Sequence, residues 1–333
     1  MADIAREAGV SRVAVSYALN GRPGVSDVVR ERIVTIARDL GYHGNEPARI
    51  MHGAAARAVG LTMRRAAIAF NIEIFRREFI SGVQAELMTH GMGLTLQFIA
   101  DVDEEFEVFR RWSGEQRVSG VLVCDLEVDD PRTAFLEQLG LPTIVVGGPV
   151  PGHGLSHLWF DEAAAVDALV EHVAQLGHRH IVRVSGPPTM VHTVVRDEAF
   201  RAACTKAGVD GAIVAADYTG DSGAHVTRRL LSTTRPPTAV VYDNDVMAVA
   251  GLAVAAEMGV RVPADLSVAA WDDSSLCQVV RPALTVLRRD IIGCGARAAR
   301  MLLNVVSGEE PRSVQDDTAV LVRRNSTGPA PAQ

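Results

Sequence analysis

The first 45 residues show helical periodicity in three successive segments. The pattern predicts a short helix over 3–8, a second over 12–20 and a third from the cap Ser26 to Leu40. Gly9 supplies the positive φ of a tight turn between the first two helices, and Ser11 is a favourable N-cap for the second. The inward-facing apolar positions are Ile4, Ala5, Ala8, Val15, Ala18, Leu19, Val29, Ile33, Ile36, Ala37 and Leu40. They predict one small all-α core, in which Ala5, Gly9 and Val15 have the spacing of a helix-turn-helix.

The outward side of the second predicted helix carries Arg12, Val13, Ser16 and Tyr17. A solvated surface is the simpler interpretation, but an exposed valine and tyrosine beside an arginine are unfavourable in water. The same residues suit the major groove of DNA, where arginine can read guanine and valine can contact a thymine methyl group. We therefore interpret this side of the helix as the surface that reads DNA.

From Ala66 onwards, apolar strand-like runs alternate with helical patterns, which predicts parallel sheets covered by helices. The alternation restarts after Asp161, so two similar α/β halves with a cleft between them are expected. Predicted strands are 66–72, 94–99, 120–126, 143–148, 155–161, 181–186, 212–218, 238–245 and 266–273. Predicted helices are 78–90, 104–116, 131–139, 162–176, 197–207, 224–231 and 246–258.

Composition and charge narrow the classes of protein. Of the 333 residues, 48% are hydrophobic and 22% charged, which is ordinary for a globular chain. No run is long and apolar enough to cross a membrane and no signal peptide is evident, so a cytoplasmic protein with reduced cysteines is expected. The net charge is −7, yet residues 1–65 hold ten arginines against six carboxylates. A basic head on an acidic body indicates that one end meets a polyanion.

The motifs of common enzymes are absent from the sequence. There is neither a P-loop nor a GxGxxG between a strand and a helix, and the Gly-rich run 147–154 contains two prolines. His178 and His180 have no obvious third partner, so no metal is expected, and no cofactor is implied. We therefore expect a protein that is not an enzyme.

Ligands of open α/β sheets bind at the carboxyl ends of the strands. At these positions the sequence offers a set of polar and aromatic side chains, among which arginine and aspartate can bond hydroxyl groups and aromatic rings can cover an apolar face. The candidates for a bound small molecule are Phe75, Arg76, His192, Arg196, Tyr218, Asn244 and Asp272, with Asp245 and Trp271 beside them. Core packing or helix capping is the alternative role for each one.

Nine stretches in this order resemble the LacI/GalR family of bacterial transcription regulators. They are "DIAREAGVSRVAVSYALNG", "VSDVVRERIVTIARDLGY" and "EPARIM", then "QRVSGVLV", "LGHRHIVRVSGP", "RDEAF", "YDNDVMAVAGL", "VPADLSVAAWDD" and "RPALTVLRRD". The chain departs from the family in several places. The threonine that usually caps the first helix is missing, so the true start is expected a few residues upstream. Met51 stands where leucine is usual, and Gly147 and Gly148 stand where a polar side chain often helps to bind the effector.

The resemblance implies a small all-α helix-turn-helix head over 1–45, a hinge helix and linker over 46–60, and a body over 61–328. This body is an α/β, two-lobed, periplasmic-binding-protein-like unit of parallel sheets flanked by helices. The first lobe is placed at 66–160 plus 286–316 and the second at 161–284 plus 318–328. The chain is expected to cross between the lobes near 159–163, 283–289 and 314–321.

The resemblance also implies roles for individual residues. Residues 47–56 are expected to fold as a helix on DNA, pair with those of a dimer mate and insert Met51 into the minor groove. Arg196 and Asp272 match the family's effector-anchoring residues. The residues assigned to DNA are Ser11, Arg12, Val13, Ser16, Tyr17, Asn20, Arg49 and Met51.

The leading hypothesis is a cytoplasmic, homodimeric transcription regulator, usually a repressor, that reads a pseudo-palindromic operator. Its effector is expected to be a sugar or a sugar phosphate, with a nucleobase as the alternative. A solute-binding protein without a DNA role is a second hypothesis, and the predicted head argues against it. An enzyme on an α/β scaffold is the third, and it lacks a recognisable catalytic constellation.

Overall fold

The computed structural model describes residues 1–19, 23–41, 56–64, 74–148 and 154–332. The chain divides into two compact units, Met1–Ala56 and Arg57–Gln333. The predicted fold, a helix-turn-helix head and an α/β body of two helix-flanked sheets, is confirmed.

The head contains helices α1 (Ala2–Ala8), α2 (Arg12–Leu19) and α3 (Asp27–Asp39). Gly9 ends α1 in the left-handed conformation at φ 67°, and the Ser11 Oγ accepts a hydrogen bond from the Ala14 N–H at 3.1 Å, as an N-cap does. The small core is built around Ile4, Val15 and Ile33, each almost fully buried. Leu40, predicted to face this core, lies just beyond α3 and is 47% exposed.

The first lobe is built on a parallel six-stranded sheet. Its strands are β1 (Ala58–Arg64), β2 (Gly93–Ile99), β3 (Val121–Val123), β4 (Thr143–Val146), β5 (Ser156–Trp159) and β11 (Ser313–Gln315). Their order in the sheet is β11-β5-β4-β3-β1-β2. The helices of this lobe are α4 (Ile74–Thr89), α5 (Val102–Gly114), α6 (Pro131–Leu139) and α12 (Ile291–Val306).

The second lobe also has a six-stranded sheet. Its strands are β6 (His180–Ser185), β7 (Asp210–Ala215), β8 (Ala239–Tyr242), β9 (Ser267–Trp271), β10 (Thr285–Arg288) and β12 (Val320–Val322). Their order is β12-β10-β9-β8-β6-β7, and β12 runs antiparallel to β10 whereas the other pairs are parallel. The helices are α7 (Glu162–Gln175), α8 (Val191–Ala207), α9 (Gly220–Leu231), α10 (Asp245–Glu257) and α11 (Ser275–Val279).

The chain passes from one sheet to the other at 160–161, 289–290 and 316–319. β10 pairs with β9 and β12, so residues 286–288 belong to the second lobe and their assignment to the first was wrong. The reason is that the second crossing follows β10 instead of preceding it. α12 then packs into the core of the first lobe through residues such as Cys294, Ala298 and Leu302.

The strand that opens the body lies earlier than the apolar run 66–72 that was predicted for it. β1 spans Ala58–Arg64 and so includes residues 58–60, which had been assigned to the linker, whereas 66–72 lie outside the described residues. Glycine weakens a strand interior, yet the tertiary structure requires glycine at position 60. A Cβ at this position would stand 2.4 Å from the Trp112 ring.

Helix α8 begins at Val191, six residues before the predicted start. The residues before Asp197 follow two prolines and are rich in β-branched side chains, which have low helix propensity. In the structure this first turn is the part of α8 that faces the cavity described below.

Cys204, Cys277 and Cys294 are buried and Cys124 is half-buried, and all four are free thiols. Within the described ranges, no helix is both long enough and apolar enough to cross a membrane. No group of three metal-ligating side chains occurs in this part of the chain either. His178 instead bonds Thr238, Ser267 and the Gly328 carbonyl.

Candidate functional site

A cavity lies between the two lobes, where the carboxyl ends of strands from both sheets meet. All seven residues predicted to contact a small molecule line it: Phe75, Arg76, His192, Arg196, Tyr218, Asn244 and Asp272. The other lining residues are Cys124, Asp125, Leu126, Val146, Gly147, Gly148, Phe160, Glu162, Met190, Val191, Val195, Asp243 and Arg289. Of the two further candidates, Trp271 lies directly beneath Arg196, and Asp245 is buried outside the lining.

Arg196 is held by two carboxylates in the wall of the cavity. Its Nε and Nη2 donate to the two oxygens of Glu162 at 2.9 and 3.1 Å, and its Nη1 donates to Asp243 at 3.0 Å. Arg289 donates to the same Glu162 at 3.0 Å. Burial opposes ionisation of Glu162, but Arg196 and Arg289 outweigh it and lower its pKa to about 2. Glu162 is therefore a carboxylate that fixes the direction of two guanidinium groups.

Asp243 is the second anchor, and it lies 2% exposed at the end of β8. It accepts hydrogen bonds from Arg183 at 2.9 Å, from the Gly186 N–H at 3.2 Å and from the Tyr218 hydroxyl at 3.2 Å, besides that from Arg196. Burial raises the pKa of its carboxyl group, but the charges of Arg183 and Arg196 lower it by more than burial raises it, so the net shift is downwards. Asp243 thus joins the fully buried Arg183 to the cavity wall.

Two aromatic rings of the site are already covered by arginines. The Arg196 guanidinium lies 4.3 Å from the centre of the Trp271 ring, and the Arg289 guanidinium lies 3.8 Å from that of Phe160. Trp271 does not line the cavity among the described residues, because Arg196 lies between its ring and the open space. Trp271 acts as a support for Arg196 instead.

The Tyr218 hydroxyl links both sides of the second lobe's mouth. It lies 2.8 Å from His192 Nε2 and 2.9 Å from Thr193 Oγ1, and it donates to Asp243. Gly186 leaves room for this ring, since a Cβ there would stand 2.0 Å from the Tyr218 hydroxyl oxygen. Burial, followed by the charge of Arg196, lowers the pKa of His192, so its imidazole is neutral near pH 7.

Asp272 points a carboxylate with spare hydrogen-bonding capacity at the cavity. Among the described residues, no side chain donates a hydrogen bond to it, and burial raises its pKa to about 7 against the opposing effect of Arg196 and Arg289. Asn244, in contrast, is committed on both sides. Its Oδ1 caps α10 by accepting from the Met247 N–H, and its Nδ2 donates to the Tyr218 carbonyl, both at 2.9 Å.

The first lobe contributes Phe75 and Arg76 from α4. Arg76 forms an ion pair with Asp125 at 3.0 Å, and Phe75 stacks on Phe79 with ring centres 5.8 Å apart. Together, three guanidinium groups and four carboxyl groups line the cavity: Arg76, Arg196, Arg289, Asp125, Glu162, Asp243 and Asp272. The described part of the lining therefore carries no excess of positive charge.

The sequence analysis assigned no role to Glu162, Arg183, Asp243 or Arg289, all of which belong to this site. Arg183 carried a usable signal, because a charged residue inside an apolar parallel strand must find a buried partner. Glu162 directly follows the helix cap Asp161, and an acidic residue in the first turn of a helix is common, so its position gave no sign that it points into the protein. Arg289 follows β10, whose place in the second sheet was not foreseen.

On the head, α2 presents Ser11, Arg12, Val13 and Tyr17 at the surface, while Ser16 is half-buried. Val13 is 59% exposed and Tyr17 is 37% exposed. Asn20, Arg49 and Met51 lie outside the described residues. The exposed set matches the predicted DNA-reading surface in position, and its role stays a prediction.

Comparison with known proteins identifies the family of this chain. Residues 1–45 match the model of the lacI family of bacterial regulatory proteins, and residues 170–327 match the periplasmic binding protein-like domain. The HTH-type transcriptional regulator CelR of Thermobifida fusca is 31% identical over 332 residues, which cover 97% of this chain and 96% of that protein. The chain belongs to the LacI family. The resemblance stated from the sequence is thereby confirmed, and with it a transcription regulator that is not an enzyme.

Solved structures of LacI-family proteins have the same fold. A LacI family transcriptional regulator from Bifidobacterium animalis subsp. lactis is 35% identical, with a TM-score of 0.78, and covers 83% of this chain and 100% of that one. The complex of the transcriptional regulator CelR with cellobiose is 29% identical, with a TM-score of 0.76, and covers 97% of this chain and 98% of that one. The described head and body together therefore represent a typical member of the family.

Proposed function

We propose that this LacI-family regulator is a cytoplasmic repressor whose effector is a neutral sugar bound in the cavity between the lobes. The observation that carries the proposal is the charge of the lining. Each guanidinium group there faces a carboxylate, and Asp272 adds a further acidic group.

A sugar phosphate fits this lining less well than a neutral sugar. A phosphate needs cationic or N–H donors that are not already neutralised, and it would stand near four carboxyl groups. A sugar hydroxyl, in contrast, can donate to Asp272 and accept from the N–H groups of Arg196 that Glu162 and Asp243 leave unused. The polar groups therefore match a polyol.

A nucleobase is the alternative effector. Bases are held by stacking on aromatic faces as well as by hydrogen bonds. Because arginines cover the rings of Trp271 and Phe160, the site offers a base less stacking surface than its aromatic content suggests. The complex of the relative CelR with cellobiose also favours a saccharide here.

Isothermal calorimetry with a panel of ligands tests the proposal. The panel should hold cellobiose and other neutral mono- and disaccharides, glucose 6-phosphate as the anionic control, and hypoxanthine and guanine as nucleobases. We expect binding from the neutral saccharides alone. Binding of the phosphate or of a base in their place would refute the neutral-sugar assignment.

The residues of the site are tested with Arg196→Ala and Asp272→Ala. Either change should abolish saccharide binding, since it removes a hydrogen-bond partner and leaves the opposite group unpaired. Arg201→Ala is the matched control, because Arg201 lies exposed on the same helix α8. Unchanged affinity in Arg196→Ala and Asp272→Ala would place the effector elsewhere.

Repression needs no contact beyond DNA binding, because a protein bound over a promoter excludes polymerase. A reporter gene under the chain's own promoter should therefore be expressed more strongly when the protein is deleted. Lower expression after deletion would instead indicate an activator.

A further inference from the structure

Two segments of different lobes pair with each other at the rim of the cavity. The Val128 N–H donates to the Thr189 carbonyl oxygen at 2.8 Å, and the Val191 N–H donates to the Leu126 carbonyl oxygen at 2.9 Å. Between them, Glu127 and Met190 form an antiparallel β-bridge. Residues 126–128 follow β3 of the first lobe and 189–191 precede α8 of the second, so this pairing is separate from the three chain crossings.

Side-chain packing supports the backbone pairing. Val191 belongs to the second lobe, yet it packs against the core cluster of the first lobe that contains Leu126 and Val145. Gly148, just beyond β4, leaves the space for this contact, because a Cβ there would stand 2.9 Å from Val191 Cγ1. The closed position of Val191 therefore depends on glycine at position 148.

The first-lobe segment is held firmly from below. The buried Arg132 donates from Nη2 to the Cys124 carbonyl at 3.2 Å and to the Asp125 carbonyl at 2.9 Å. The Asp130 carboxylate accepts from the Glu127 N–H at 3.0 Å and also pairs with Arg132. This side of the pairing is thus a fixed surface onto which the second lobe closes.

We propose that residues 126–128 and 189–191 form an interlobe latch that holds the two lobes closed over the cavity, with Val191 and Gly148 as the residues that determine its closure. Leu126, Met190 and Val191 also line the cavity, so the latch forms part of the enclosure around a bound molecule. The latch itself stands on the contacts above, and only its effect on the effector rests on the proposed function.

Val191→Pro removes one latch hydrogen bond without disturbing its helix. Val191 is the first residue of α8, where proline is favoured, and Met190 before it has φ −82° and ψ 131°, which the residue before a proline prefers. Val191→Thr is the matched control, because it keeps the N–H and the branched shape.

Hydrogen–deuterium exchange of the full protein without ligand measures how well the latch amides are protected. In Val191→Pro, the Val128 amide on the opposite lobe should exchange roughly five to ten times faster, the effect of losing one backbone hydrogen bond. Val191→Thr should exchange as the unchanged protein does. Amides of the core strand β8 should keep their rates in both variants, which shows that the fold is intact.

A second pair of variants tests the packing half. Gly148→Ala should also accelerate exchange at Val128, since the new Cβ meets Val191 Cγ1. In a Val191→Ala background the same Gly148→Ala change should have no further effect, because Cγ1 is gone. An unaltered Val128 rate in both Val191→Pro and Gly148→Ala, with β8 protected, would overturn the latch. Because these measurements use no ligand, that result would leave the sugar proposal standing, and a failure of sugar binding would leave the latch standing.

Discussion

At the scale of single residues, the carboxylates of the second lobe explain how arginines can line a buried cavity. Asp243 accepts from Arg183 and Arg196 and has no access to water, so each charge is compensated only by its partners. Removing one partner of such a group leaves the others unpaired in a medium of low polarity, which costs more than the pair itself contributes.

Asp243→Asn should accordingly lower the free energy of unfolding by about 3–5 kcal/mol. Urea denaturation followed by tryptophan fluorescence measures this in the body, because Trp112, Trp159 and Trp271 all lie there. Asp197→Asn is the control. Asp197 also accepts from Arg183, but it is less buried and does not touch Arg196. An equal or smaller loss in Asp243→Asn than in Asp197→Asn would contradict the assigned role.

Asp272 gives the body a specific dependence on pH. Its pKa is about 7 when folded, whereas an unfolded aspartate titrates near 3.9, so the folded protein holds one more proton between these values. The contribution of this group to stability is therefore fully present below about pH 4 and is lost as the pH rises through about 7. In Asp272→Asn this loss should disappear. Denaturation curves should show the stability difference between variant and parent growing up to about pH 7 and then levelling; a difference independent of pH would exclude the effect.

Arg12 and Arg49 should make different kinds of contact with DNA, Arg12 with a base and Arg49 with a phosphate. Arg12→Ala is expected to relax base choice at one position per half-site and to cost about 1–3 kcal/mol there, as a base-reading arginine does. Arg49→Ala should weaken binding to all sequences and flatten the dependence on salt, as the loss of a phosphate contact does. Binding assays over single-base operator variants distinguish the two. Equal weakening of every variant by Arg12→Ala would refute its base-reading role.

At the scale of elements, the short helix α2 depends on the turn before it. Gly9 takes φ 67° with open space around it, so an added Cβ meets no neighbour and the cost arises from the backbone conformation alone. Gly9→Ala should destabilise the turn by about 1 kcal/mol. It should weaken binding to all operator variants to the same extent. Gly140, which ends α6 at the same φ of 67°, provides the control. Gly140→Ala should leave DNA binding unchanged, and a selective effect of Gly9→Ala on one base would point to a different role.

At the scale of the whole molecule, the size of the head predicts a dimer. One short helix offers too little contact area for tight, specific DNA binding, and two-fold symmetry doubles it. We expect light scattering to show a dimer at micromolar concentration, and footprinting to show two half-sites related by a dyad. A monomer both free and on DNA would contradict this expectation.

The features that the sequence predicts are those that arise from interactions between residues close together in the chain. Gly9 and Ser11 define the helix-turn-helix because turn and cap chemistry act within a few residues. The α/β alternation identified most strands of the body, and the strand-end rule brought Arg196, Tyr218 and Asp272 into the list of cavity residues, because parallel strands align their carboxyl ends on one edge.

Only the tertiary structure decided the rest, because it depends on contacts between distant parts of the chain. Gly60 is a strand residue because Trp112 packs against its backbone, and β10 belongs to the second lobe because β9 and β12 flank it. The partners of Arg196 could not be read from spacing either. Glu162 lies 34 residues before it and Asp243 lies 47 after it, and only the folding of both sheets brings these charges within hydrogen-bonding distance in a buried wall.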